Sequence, residues 1–241
     1  MSGPDFYERC LQPFVSRFLT TGKKRQLYVW AALRIAALAV WPYLRLKGAL
    51  GAFDGAKVNL GAGPSRLDGW LSVDANPLRR PHIWMDVRSR WAFKTNSLAG
   101  ITTSHMLEHL FDDELDFLLK EAWRVLRPGG FLRISVPSLE KAVEAYSAAP
   151  PETGEQSGEK GEKFHLFAHW YGAHHQVFDF GRLKNLLVNA GFVDVTQGEF
   201  PRSRFCTQAE VVETDRHPEE SLFVECLRPP LPAQSIGHFR V

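Results

Sequence analysis

Residues 57–74 read KVNLGAGPSRLDGWLSVD, and the fold turns on how that stretch is parsed. Lys57-Val58-Asn59-Leu60 is a short β-prone run that breaks into Gly61-Ala62-Gly63, and Trp70-Leu71-Ser72-Val73 is a second run that stops at Asp74. Glycines directly after a strand let a ligand approach the backbone more closely than any side chain allows. Moving outward, Ile83-Trp84-Met85 leads into Asp86, and Gly100-Ile101-Thr102-Thr103-Ser104 is a fourth apolar and β-branched run. Leu115, Leu118, Leu119, Ala122, Val125 and Leu126 then recur at helical spacing over 112–126, with Asp112 placed to cap the start. Pro128-Gly129-Gly130 ends that helix, and Phe131–Val136 alternates as a strand. Phe180–Ala190 reads as another helix, stopped by Gly191, and Val193–Gln197 and Ser221–Leu227 as the last two strands. Strands alternating with helices, then a late pair of strands, imply an open, mainly parallel α/β sheet with flanking helices.

The ends of the chain read differently. Of the 241 residues, the first fifty hold eight Lys/Arg against Asp5 and Glu8, a net +6, while the remainder carries −4. Residues 27–46, LYVWAALRIAALAVWPYLRL, follow Lys23-Lys24-Arg25 and are the most apolar stretch. Arg34 and Pro42 interrupt that run, leaving it short of the ~20 apolar residues of a span. The basic cluster starts too late, and no small-residue cleavage site follows, so it is not a secretion signal. Leu27, Trp30, Leu33, Leu38, Trp41 and Leu44 share one side of a helical wheel. A helical extension over 1–50 that rests on a membrane surface, packs on the body or spans a bilayer fits that pattern, and these alternatives stay open. The body is expected at 51–228, with 147–163 (SAAPPETGEQSGEKGEK) as a flexible insertion and 229–241, rich in proline, as an extended tail.

Composition narrows the class. Apolar residues make up 44% and charged residues 23%, as in globular proteins, which excludes disordered, collagen-like and polytopic membrane chains. Cys10, Cys206 and Cys226 have neither disulfide nor zinc-ribbon spacing, which fits a reducing, cytoplasmic setting, at the inner face of a membrane if the extension binds one. A net charge of +2 and no basic stripe in 51–241 argue against nucleic acid as a partner.

In open α/β sheets, ligands bind beyond the carboxyl ends of the strands. Gly61-Ala62-Gly63, Asp74 and Asp86 fall at three such ends in order. A carboxylate after the second strand can accept hydrogen bonds from both hydroxyls of a ribose, and Asp86 can accept one from an adenine amino group, which together describe a nucleoside-shaped pocket. An NAD fingerprint is disfavoured, because Arg66 stands where the third glycine of G-x-G-x-x-G belongs.

With those residues in place, the sequence resembles the class I S-adenosylmethionine (SAM)-dependent methyltransferases, and within them the small type 11-like group often linked to glycan biosynthesis. The resemblance rests on Val58-Asn59-Leu60-Gly61-Ala62-Gly63, Val73-Asp74, Asp86-Val87-Arg88, Ser104-His105-Met106-Leu107-Glu108-His109-Leu110 and Leu126-Arg127-Pro128-Gly129-Gly130, and covers 55–228. It implies a Rossmann-like sheet and SAM as cofactor. Asn59, Gly61, Ala62 and Gly63 would line the methionine and ribose side, Asp74 would hold the ribose, Asp86 and Val87 would meet adenine, and Ser104 and His105 would stand nearest the sulfonium. Two features depart from the family. Asn59 replaces its usual acidic residue, and the eleven positions from Gly63 to Asp74 leave room for only a short first helix or none.

A methyl acceptor that loses a proton needs a base, and histidine titrates in the right range. His105, after the fourth strand, is the expected base. His109, His174 and His175 are expected to meet the acceptor, with the histidine- and aromatic-rich run 164–175 lying over the pocket. That run matches no strong zinc pattern, so no metal is expected. The reading is methyl transfer to a small-molecule or glycan-type acceptor at oxygen. Asn59 and the shortened first crossover motivate the alternative, a catalytically silent methyltransferase-like binding or scaffold protein.

Overall fold

The computed structural model describes residues 42–148 and 158–231. Most of the expected 27–46 helix and of the proline-rich tail lies outside them. Seven strands form one sheet: β1 (Lys57–Leu60), β2 (Trp70–Asp74), β3 (Ile83–Trp84), β4 (Leu98–Ser104), β5 (Leu126–Pro137), β6 (Val193–Gln197) and β7 (Ser221–Leu227), in the order β3-β2-β1-β4-β5-β7-β6. The first five pair in parallel, and β7 runs antiparallel to both β5 and β6. Helices α1 (Asp112–Val125), α2 (Leu139–Ala148), α3 (Glu159–His169), α4 (Phe180–Asn189) and α5 (Gln208–Thr214), single 3-10 turns at Pro77–Arg79, Leu107–His109 and Trp170–Gly172, and a helical turn over 42–49 complete the described elements.

Helix α1 forms where its apolar stripe predicts, burying Leu115, Leu118, Leu119, Ala122 and Val125. Its start differs from expectation. Phe111 is the N-cap and Asp112 the first helical residue; the N-terminal donor at Phe111 is satisfied by the Glu114 carboxylate at 3.0 Å. Asp112 instead accepts from Gln176 Nε2 at 3.0 Å. Helix α4 ends as expected at Gly191, whose φ of +94° reaches the left-handed region that glycine enters without steric cost. The expected flexible insertion over 147–163 is corrected at its two ends, since Ser147 and Ala148 close α2 and α3 has begun by Glu159, while 149–157 lie outside the described residues. Neither α2 nor α3 buries a residue, although Leu139, Ala142, Val143 and Tyr146 of α2 and Phe164, Phe167 and Ala168 of α3 follow helical spacing.

The two faces of the sheet differ chemically. Strand register aligns Ser72, Asn59, Thr102, Arg133 and Glu225 in one row across β2, β1, β4, β5 and β7. All five are buried. The next row, on the opposite face, is Val73, Leu60, Thr103, Ile134 and Val224. Within the polar row the Arg133 guanidinium bonds Asp215, beyond the end of α5, and stands 3.6 Å from Glu225.

Residues 61–69, 75–82 and 85–97 contain no α-helix, so the first three crossovers lack the usual cover. Two distant segments supply it. The 42–49 turn lies so close to the third crossover that a Cβ on Gly48 would stand 1.7 Å from the Ala92 carbonyl oxygen. Helix α5 closes over the first, where Glu210 accepts from Lys57 Nζ at 2.9 Å and Trp70 Nε1 at 2.6 Å. Leu67, Trp70 and Phe131 pack there with Phe205, Cys206 and Leu227.

Burial alone would raise the Glu210 pKa, but the bonds from Trp70, Lys57 and the Thr207 N–H outweigh it and bring the group to about 2, from an ordinary 4.5. A carboxyl depressed in the folded state stabilises above its unfolded pKa, and that stability is lost as pH falls through the folded value. The unfolding free energy is therefore expected to drop between about pH 4.5 and pH 2 more steeply in the wild type than in Glu210→Gln. Urea titrations of both proteins at neutral pH and near pH 3 check this, and parallel losses would contradict it.

Candidate functional site

The strand order reverses between β1 and β4, the switch point where open α/β sheets bind ligands. Gly61–Gly63 leaves β1 there, Ser104 and His105 leave β4, and Asp74 closes β2 alongside. The Asp74 carboxylate accepts from the Gly63 N–H at 2.8 Å through one oxygen and from the Asn76 N–H at 2.7 Å through the other. A carboxylate offers about four acceptor sites, so Asp74 is held in place with capacity to spare. Gly61 has φ +62°, and a Cβ on it would stand 2.6 Å from Met106 Cγ. The glycine loop and the segment after β4 therefore touch through Met106. Asn59 is buried in β1 within the polar row, two residues behind Gly61, and Ala62 is buried beside it.

At the end of β3, Asp86 is engaged by its own neighbour. Arg88 donates to one carboxylate oxygen from its N–H and Nε, at 3.0 and 2.9 Å, and to the other from a terminal nitrogen at 2.8 Å. The bond to Asp86 raises the Arg88 pKa against the opposing effect of burial. The Val87 carbonyl accepts from Trp91 Nε1 at 2.9 Å.

A cavity of about 940 Å³ opens on the other side of His105. His105, Glu108, His109 and His174 lie on its wall, together with Lys141 and Tyr146 of α2 and Phe164 and Phe167 of α3. Gly61, Gly63, Asp74 and Asp86 do not line it. Three non-glycine residues with positive φ gather at this cavity: His105 (+48°), Trp170 (+33°) and Tyr171 (+56°). Backbone held in that region costs energy and concentrates at functional sites. His105 Nε2 lies 2.7 Å from Ser221 Oγ, whose own proton goes to the His217 carbonyl at 2.6 Å. The hydroxyl is thus an acceptor toward the ring, which places the proton on Nε2 and the lone pair on Nδ1, 3.5 Å from a Glu108 oxygen. Glu108 is 1% exposed, and its other oxygen has no hydrogen-bond partner. His109 and His174 each use Nδ1 on a backbone carbonyl, Ala173 at 3.0 Å and Phe167 at 2.8 Å. Burial lowers the His174 pKa and outweighs the opposing hydrogen bond to Phe167.

Residues 74–134 match the profile of the family described as "Methyltransferase domain". That span carries Asp74, Asp86, the end of β4 and His105 through His109. Over those residues the chain carries a methyltransferase domain. That match supports S-adenosylmethionine as the cofactor. No curated protein matches the chain. Matching solved structures include SAM-dependent methyltransferases of Thermotoga maritima (16% identity, 80% of this chain and 96% of that one covered, TM-score 0.47), Archaeoglobus fulgidus (14%, 81% and 94%, 0.45) and Mesorhizobium loti (21%, 79% and 98%, 0.44).

Placed in the methyltransferase fold, the expected residues fall into two groups. Gly61, Ala62, Gly63, Asp74 and Ser104 gather at the switch point, while His109 and His174 meet in the cavity, and His105 stands between. His175 departs from expectation: it is exposed, stacks on Phe111 with ring centroids 4.0 Å apart and does not line the cavity. Sequence reasoning missed two partners, Arg88 on Asp86 and Glu108 beside three histidines. The first sits two residues from its acid and was open to inspection. The second announced itself only as the sole acid in an apolar and histidine-rich run. Burial pushes the Cys206 thiol up to about 11 and raises that of Cys226 as well.

Gly61→Ala is expected to destabilise the methyltransferase by about 1–2 kcal/mol from left-handed backbone alone, with a further loss from the Met106 contact. Adding Met106→Ala should recover the contact part and leave the backbone part. A double mutant as unstable as the sum of the singles would show that the two segments do not touch.

Proposed function

We propose that this methyltransferase transfers its methyl group to an oxygen of a small-molecule or glycan-type acceptor held in the cavity walled by α2 and α3. The observation that carries the reading is the cavity itself. At about 940 Å³ it falls in the size range of small-molecule sites, and His105, which leaves β4 at the switch point, forms part of its wall. Its aromatic lining offers flat faces for a ring to pack on, and Lys141, Lys160 and Lys163 add donors at its wall.

The residues at the switch point fit SAM. Asp74 has acceptor capacity beyond its two backbone bonds, which suits a ribose diol, and Gly63, where a Cβ would meet nothing nearer than 4.0 Å, leaves the backbone open to approach. Asp86 and the Val87 backbone are the groups proposed to meet adenine, with the Asp86 carboxylate shared with Arg88. When bound, SAM supplies an electrophilic methyl carbon, which the acceptor oxygen takes with its electron pair as the carbon–sulfur electrons return to sulfur. His105 is the proposed base. Its Nδ1 lone pair would receive the acceptor's proton, and the imidazolium so formed would face Glu108 at 3.5 Å. Ser221 holds the ring in that tautomer.

Removing Asp74 leaves buried donors unpaired, at about 1–3 kcal/mol, so Asp74→Ala should weaken SAM binding by about tenfold or more in calorimetric titration. His105→Ala should leave SAM affinity near wild type and lower turnover by about 10²–10⁴-fold. Methyl transfer from labelled SAM into small molecules and glycolipids of the host, followed by mass spectrometry, should place the label on oxygen. Label on nitrogen or carbon, or SAM bound with no transfer to any acceptor, would overturn the assignment.

A further inference from the structure

The structure assigns Glu108, His109 and His174 as a divalent-metal site in the wall of the acceptor cavity, an inference we draw from the way these three side chains are set. One ligand atom from each lies within 4.8 Å of the other two, the spread that a single cation can bridge. The chain brings them together from two places. Glu108 and His109 belong to the short turn after β4, and His174 follows α3, returning to the same turn through the Gln176 and His175 N–H bonds to the Glu108 carbonyl.

Three features set this cluster apart from an ordinary buried polar group. Glu108 is almost wholly buried and keeps a carboxylate oxygen without a hydrogen-bond partner. A buried charge of that kind is costly unless a cation answers it. His105, its nearest ring, turns a lone pair rather than an N–H toward it, as the Ser221 bond dictates. Both candidate ligand rings also give Nδ1–H to a backbone carbonyl. That arrangement leaves Nε2 of each as the lone-pair nitrogen and fixes the ring, as the outer hydrogen bonds of metal-binding histidines do.

Two imidazoles and one carboxylate suit zinc, manganese or ferrous iron better than magnesium or calcium, and three protein ligands leave positions open toward the cavity. This placement deepens the reading of the cavity as the acceptor site. A cation there would hold an acceptor hydroxyl and lower its pKa, so that its proton passes more readily to His105 as the oxygen takes the methyl group.

Full-length protein stripped with chelator and titrated with cobalt(II) chloride should bind one equivalent, seen as visible absorption, and zinc chloride should displace it. Glu108→Gln and His174→Asn should each weaken that binding by more than about 100-fold, since even outer-sphere changes cost 10–100-fold. His165→Asn and His169→Asn, on neighbouring α3, should leave it unchanged. S-adenosylhomocysteine titration of the same samples separates the failures. Normal nucleoside binding without metal binding overturns the metal site alone, whereas metal binding without nucleoside binding overturns the functional reading alone. If Glu108→Gln does not fold, His174→Asn decides, because its ring stands at the cavity wall. No cobalt bound by the wild type, or binding that ignores both substitutions, overturns the proposal.

Discussion

A guanidinium enclosed in the middle of the sheet sets the terms for much of this molecule. Arg133 lies in β5 at 1% exposure, and a charge so far from water is tolerated only when opposite charge meets it directly. Asp215 and Glu225 do so, and Glu225 in turn holds Arg204, which reaches Asp194 on β6 at 2.6 Å. Charge thus alternates from the end of α5 across β5 and β7 to the sheet edge. Asp215 caps α5, so the position of that helix follows from the position of Arg133. The glycine loop leans on α5 through Ser65 and Arg66, which bond Glu213 at 3.4 and 3.3 Å. The backing of the switch-point loop is therefore set by a charge pair two strands away.

Much of the fold was legible because its strands end on chemically distinct residues. Glycine after β1 and aspartate after β2 and β3 punctuate the chain, and α1 and α4 carry unmistakable apolar stripes. What escaped has a physical reason. Helices α2 and α3 wall a cavity instead of a core, so no side chain in them is buried, and the first turn of α3, Glu159-Lys160-Gly161-Glu162-Lys163, reads as an extension of the polar run before it. Helix α5 is seven residues long, too short for a stripe, and its anchoring residue, Glu210, reads as surface charge. Asp112 has the composition of a cap, yet the chain enters α1 one residue earlier because Glu114 turns back on Phe111.

The site was legible in halves. Groups that follow successive parallel strands must converge at one edge, so order along the chain predicts nearness in space for Gly61, Asp74 and Ser104. The cavity obeys no such rule. His109 and His174 are far apart in sequence, and only the return of the chain after α3 joins them. Adjacent residues also diverge: His174 faces the cavity while His175 stacks outward on Phe111. A histidine-rich run tells that imidazoles are present, not which of them point together.

The missing crossover helices carry a consequence for how the chain is made. In an ordinary doubly wound sheet each strand arrives with its own covering helix, so the amino-terminal half can settle as it leaves the ribosome. Here β1 and β2 rely on α5, residues Gln208–Thr214, for the partners of Lys57 and Trp70. Domains otherwise gain order from the amino terminus during synthesis. The portion synthesised first must wait, its tryptophan face open to water, until nearly the whole body has emerged, and folding becomes an event of the finished chain.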